Sequence, residues 1–196
     1  MTVSQPDGAR LGVEAARRLR VLGSVDIAPG LSAAEITQVQ AEFDFEFADD
    51  HRAFLSAGLP VGESWPDWRS GPRRTLGAVL QLPVDGVLFD VEWNDFWHHT
   101  WGRRPARMKD ALRTARYRLA RAPRMLPVFG HRFLPAGRGT SGHPVLSIYR
   151  TEILCCGDDL VHYIDNAFGP GPHRPGTVHP TVEFWSDLTR EMPDMS

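Results

Sequence analysis

Cysteine is nearly missing from this chain. It has only Cys155 and Cys156, and they are adjacent. That excludes a disulfide framework or a multi-cysteine metal knuckle. Neighbours on a strand point to opposite faces, so the pair is expected neither to bridge nor to chelate together. Lysine is scarcer: Lys109 stands alone against 21 arginines. A GC-rich genome accounts for such a bias. Selection for bidentate recognition of carboxylate or phosphate is the other cause. No stretch approaches the roughly 20 apolar residues of a membrane span. The start of the sequence lacks the basic-then-apolar layout of a signal peptide. A cytoplasmic location with no membrane partner is expected.

Catalytic signatures are missing too. The eight histidines form no H-x-x-x-H or H-E-x-x-H pattern, and no G-x-S-x-G occurs. Gly137-Arg138-Gly139 is a turn with no Walker lysine after it. Ser147 and both cysteines fall in apolar, strand-like runs, where a thiol gains no help toward the reactive thiolate. No catalytic residue, metal or cofactor is expected.

What is present is an ordinary globular composition, 42% hydrophobic and 23% charged, with a formal net charge of -2. A chain of this size buries roughly 70% of its extended surface without staples. The balanced charge gives no global pull toward nucleic acid or anionic membrane. The densest feature is FDVEWNDFWHHTW, Phe89 to Trp101, with Trp93, Trp97, Trp101, Asp90, Glu92 and the pair His98-His99. Such a cluster is either the centre of a core or the anchor of a recognition surface.

Local signals set the elements. Val13, Ala16, Leu19 and Leu22 have helical spacing, with Gly23 as a stop. Ser32 and Glu35 form a capping box ahead of Ile36, Val39 and Phe43. Asp49-Asp50 open a short helix carrying Phe54 and Leu55 and ending near Gly58. Leu76 to Leu82 reads equally as helix or strand. Gly86 to Val91 reads as a strand bounded by Pro83 and Gly86. Ala106 to Ala122 is a helix with Met108, Ala111, Leu112, Ala115, Leu119 and Ala122 on one face, closed by Pro123. Short strands follow at Leu126 to Phe129, Phe133-Leu134, Val145 to Tyr149 and Glu152 to Cys156. Asp158-Asp159 cap a helix with Leu160, Val161, Ile164 and Phe168 inward. The GPGPHRPG run, 169–176, reads as an exposed linker, and Val182, Trp185 and Leu188 suggest a last helix folding back. The order predicts a single α+β domain, with a mostly antiparallel or mixed sheet flanked by helices.

Asp90 and Glu92, one strand step apart, would share a face. With His98 and His99 they define an alternative function, a metal-dependent hydrolase. The 106–122 helix carries Arg107, Lys109, Arg113, Arg116, Arg118 and Arg121. That stripe reads first as a solvated face, then as a site for an acidic protein. Without interleaved aromatics it makes a poor single-strand stacking platform.

Three stretches resemble the SUKH superfamily, which includes the fungal cell-wall assembly regulators of the Smi/Knr type and many bacterial toxin-immunity proteins. Leu31 to Gly62 resembles the family's opening, through Glu35, Ile36, Phe43, Phe45, Phe47, Asp50, Phe54 and Leu55. LPVFGHRFLP, Leu126 to Pro135, resembles its strand pair. HPVLSIYRTEILCCGDDLVHYI, His143 to Ile164, resembles its closing hairpin and helix. GVLFDVEWNDFW and WGRRP look like a bacterial branch. Ala48 stands where a proline is usual, His143 where an asparagine is common, and Cys155-Cys156 where an aromatic pair is. The resemblance implies an N-terminal extension at 1–23, a SUKH-like domain at 24–168, and a linker with a C-terminal helix at 169–196. It also implies action by protein binding, without catalytic residues.

The resulting expectation is a non-catalytic protein-binding module, in its narrower form an immunity protein masking a cognate toxin such as a nuclease. No direct nucleic-acid contact is expected. The residues proposed to meet the partner are Glu92, Asp95, Asp158 and Asp159 as phosphate-mimicking carboxylates, with Trp97 and Trp101 as anchors. A scaffold or regulator without a toxin, meeting an acidic partner through the arginine stripe, is the related alternative.

Overall fold

The computed structural model describes residues 8–172, 176 and 181–189. The chain runs α1 (Gly8–Leu22), β1 (Asp26–Ala28), α2 (Ala33–Phe43), α3 (Asp49–Ala57), β2 (Leu59–Val61), α4 (Arg73–Trp93), α5 (Met108–Leu119), β3 (Met125–Phe129), β4 (Arg132–Pro135), β5 (Val145–Tyr149), β6 (Glu152–Gly157) and α6 (Leu160–Phe168). Single 3-10 turns lie at His99–Trp101 and Ser186–Leu188. This is an α+β fold. β1 and β2 form a small antiparallel pair, and β3-β4-β5-β6 form an antiparallel meander.

The meander is the wall between two cores. Strand alternation sends Leu126, Val128, Leu134 and Val145 to one face, where α1, α2, α3 and α6 pack with Phe47, Phe54 and Tyr163. Met125, Phe133, Leu146, Ile148 and Ile153 point the other way, toward α4, α5 and the 182–185 segment with Trp185. Each fully buried side chain of this size contributes about 1.5–3 kcal/mol by leaving water. Cys155 packs in the second core and Cys156 against the first, so the adjacent thiols do face apart.

Local chemistry explains the ends. Ser32 Oγ accepts the Glu35 N–H at 3.2 Å and a Glu35 carboxylate oxygen accepts the Ser32 N–H at 2.8 Å, so the capping box forms. Asp49 and Asp50 start α3 and also hold the β4–β5 loop: Gly139 N–H donates to Asp49 Oδ1 at 3.1 Å and Gly142 N–H to Asp50 Oδ2 at 2.8 Å. His51 is fully buried against Phe47, and neither ring nitrogen has a hydrogen-bond partner. Burial pushes its pKa down to about 3.

Several elements differ from the sequence reading. Gly86 to Val91 is not a strand. It is the second half of the 21-residue α4, which runs straight through Pro83. The short helix of the N-terminal extension is α1, whose Ala15, Ala16 and Leu19 are buried in the first core. Its Val13, expected inward, is 51% exposed. The last helix is one 3-10 turn, and Thr189 bridges in parallel to Ile153 on β6. The linker reading at 169–176 covers 173–175, outside the described residues, as are 1–7, 177–180 and 190–196. No described helix is long and apolar enough to cross a membrane.

Candidate functional site

The site begins with a contact between α4 and the β5–β6 hairpin. Arg150 and Thr151 form the two-residue turn, with Tyr149 opposite Glu152. Arg150 has φ 56°, in the left-handed region. Gly86 lets the helix approach, since a Cβ there would lie 2.8 Å from Arg150 Cα. One turn later Asp90, 4% exposed, clamps the hairpin. Its Oδ2 accepts the Thr151 N–H at 3.0 Å and the hydroxyl at 2.6 Å, and its Oδ1 accepts from Asn94 at 2.6 Å. Burial alone would raise the Asp90 pKa. The Thr151 and Asn94 hydrogen bonds, with the Arg150 charge, outweigh burial and hold it below the usual carboxylate range.

This clamp places four side chains on one surface. Phe89 and Trp93 stand one turn apart on the outer side of α4, 40% and 69% exposed, with ring centroids 6.4 Å apart. Tyr149 is 60% exposed. The Arg150 guanidinium lies between them, 4.1 Å from the Phe89 centroid and 5.4 Å from that of Tyr149. The result is a preformed aromatic–cation–aromatic face with a free tryptophan beside it.

The residues proposed from sequence fall in different places. Glu92 is exposed on α4. Residues two apart on a helix sit about 200° apart, so Asp90 is buried and Glu92 is not; the shared-face expectation is corrected. Asp95 is exposed and pairs with Arg104 at 2.8 Å, while Arg104 also donates to the Val91 carbonyl at 2.7 Å. Trp97 is half-buried, with its indole N–H donating to Gly102 O at 2.8 Å. Trp101 is a core residue, 5% exposed and stacked on Phe184 at 5.6 Å, so it is unavailable as an exposed anchor. Asp159 caps α6 through the His162 N–H at 2.8 Å, and Asp158 lies 3.1 Å from His162 Nδ1.

The hydrolase constellation does not assemble. Asp90 is occupied by Thr151 and Asn94. His98 is buried against Trp101 and Phe184, with Nδ1 on Thr100 Oγ1 at 2.7 Å and Nε2 3.8 Å from Asp187. Burial, with the field of His99, pushes the His98 pKa down against the pull of Asp187. Among the described residues no group of three or more His, Cys, Asp or Glu is placed to hold a metal ion.

Sequence reading missed Tyr149 and Arg150, which only the hairpin brings to α4. It found Phe89 and Trp93 but not their exposure. Leu82, Phe89 and Trp93 at spacings of seven and four are the helical stripe that would have shown it, and all three are exposed.

No protein-family model, curated protein or solved structure matches this chain.

Proposed function

We propose that this chain is a non-catalytic protein-binding module of the SUKH type, acting as an immunity protein that masks a cognate toxin. The observation that carries the reading is the exposed Phe89–Trp93–Tyr149–Arg150 face. Tryptophan, tyrosine and arginine are the residue types that dominate interface energetics, and here Arg150 rests on the Phe89 and Tyr149 rings before any partner arrives. Glu92 and Asp95 lie within three residues of Trp93 and supply carboxylates at its rim. Occlusion of the partner's working surface needs no chemistry from this chain.

The test is co-purification from the native cell with a tagged chain, followed by expression of the captured partner alone. The expected result is one stoichiometric partner that arrests growth alone, is neutralised by wild type, and is lost with Trp93→Ala plus Arg150→Ala. Undiminished capture by that variant removes the surface from the reading. A harmless partner removes the immunity role and leaves a scaffold or regulator.

A further inference from the structure

Several arginines of this protein are neutralised where they stand. Arg17 and Arg18 bond Glu14, Arg18 also bonds Asp165, Arg69 bonds Glu35, Arg73 bonds Glu42, and Arg104 bonds Asp95. The segment 103–124, to which Arg104 belongs, concentrates charge of one sign. It holds nine of the 22 cations and one of the 24 carboxylates, so it carries +8 while the remaining chain carries -10. Within it Arg113 pairs with Asp110, and Arg121 lies 3.5 Å over the Tyr117 ring. Arg103, Arg107, Lys109, Arg116 and Arg118 are exposed, and among the described residues none has a carboxylate within ion-pair distance.

This concentration has a local cost. Arg107 is the N-cap residue of α5 and Lys109 lies in its first turn, where the helix dipole favours negative charge. Among the described residues, Asp110 is the one carboxylate paired on this helix. The stripe is also not free of aromatics: Tyr117 is 56% exposed in its middle. An arginine covers that ring, however, which removes a stacking face from use by a base.

We propose that the outer face of α5 is a docking surface for a compact acidic patch on a partner protein. The inference rests on the protein-binding reading above and adds the partner's charge to it. A protein patch fits better than a nucleic-acid backbone because of α4. α4 and α5 are in contact, and Leu88 of α4 and Leu112 of α5 both pack against the second core. Asp85 and Glu92 lie three and four residues from Leu88, on the same flank of α4, and both are exposed. A continuous line of phosphates along the roughly 18 Å of α5 would meet these two carboxylates at its margin. A bounded acidic patch avoids them.

The probe is a fluorescently labelled decaglutamate peptide, compared with a short mixed-sequence DNA duplex and RNA single strand. Binding to the full chain is followed by anisotropy at about 0.05 M and about 0.15 M salt. Decaglutamate is expected to bind wild type more weakly as salt rises. It is expected to bind Arg116→Glu/Arg118→Glu about tenfold or more weaker, and to bind Arg52→Gln, an exposed arginine on α3, unchanged. The neutralising pair Arg107→Gln/Lys109→Gln repeats the test on the other end of α5, should the reversal unfold the chain. No peptide binding, binding unaffected by both pairs, or tighter binding of either nucleic acid at the higher salt overturns the proposal. Loss of the captured partner with Trp93→Ala is a separate readout, so the aromatic face and the basic face can fail independently.

Discussion

The Thr151 hydroxyl and backbone N–H donate to the same carboxylate oxygen of Asp90, at 2.6 and 3.0 Å. One side chain on α4 thereby fixes a turn 61 residues away and decides where Arg150 points.

Replacing Asp90 tests that clamp. Asp90→Ala leaves the Thr151 N–H without its partner and should cost about 3 kcal/mol in urea unfolding. Asp90→Asn should recover part of it. Because the folded-state pKa is depressed, the clamp's stabilisation is present above the unfolded carboxylate pKa and fades as pH falls through the folded value. A wild-type loss on acidification that Asp90→Ala reproduces unchanged would count against the assignment.

Gly86 offers a sign reversal. Glycine to alanine inside a helix normally gains about 1 kcal/mol. Here the new methyl meets Arg150 Cα, so Gly86→Ala should lower the melting temperature, by an overpacking cost of about 1–3 kcal/mol.

Two tryptophans should behave oppositely. Trp185 is 1% exposed and donates its indole N–H to Pro123 O at 2.7 Å. Trp185→Ala should cost about 3–5 kcal/mol of stability. Trp93→Ala should stay within about 0.5 kcal/mol of wild type. Equal losses in calorimetry would mean that Trp93 belongs to the core.

His51 makes stability pH-dependent on the acid side. Its pKa is depressed to about 3, so the unfolded chain binds the extra proton below the ordinary histidine value. Stability should fall as pH drops from about 6.5 toward 3, by about 1.4 kcal/mol per unit for this one group. His98, His131 and His143 act in the same direction. Asp50, pushed up by burial against hydrogen bonds from Gly142 and His51, acts in the opposite sense. His51→Leu should flatten the profile by one proton, read from denaturation series at several pH values.

Much of this architecture is legible in the residues. Ser32 with Glu35, the Ala111–Ala115–Leu119 stripe and the four meander strands follow from capping chemistry and periodicity. The failure at Gly86 to Val91 has a physical cause. Val87, Leu88, Phe89 and Val91 favour strands locally, and Pro83 looks like a boundary. Yet Leu76, Leu80, Pro83, Val87 and Val91 keep helical spacing across it, and burial of that stripe overrides both signals. The three-residue β1 and β2 are too short to show in a pattern. The site was half visible: an aromatic segment announces itself, but its sorting into core (Trp101) and surface (Trp93) depends on Phe184 and on a hairpin distant in sequence.

The guanidinium of Arg150, already seated between Phe89 and Tyr149, bears on kinetics. A flexible arginine gives up rotamer freedom at each encounter, and one held by two rings has given it up during folding. A partner meeting this face therefore meets a finished shape. The gain should appear in residence time rather than in the rate of arrival. Under the masking role proposed above, how long the protein stays bound matters more than how fast it arrives.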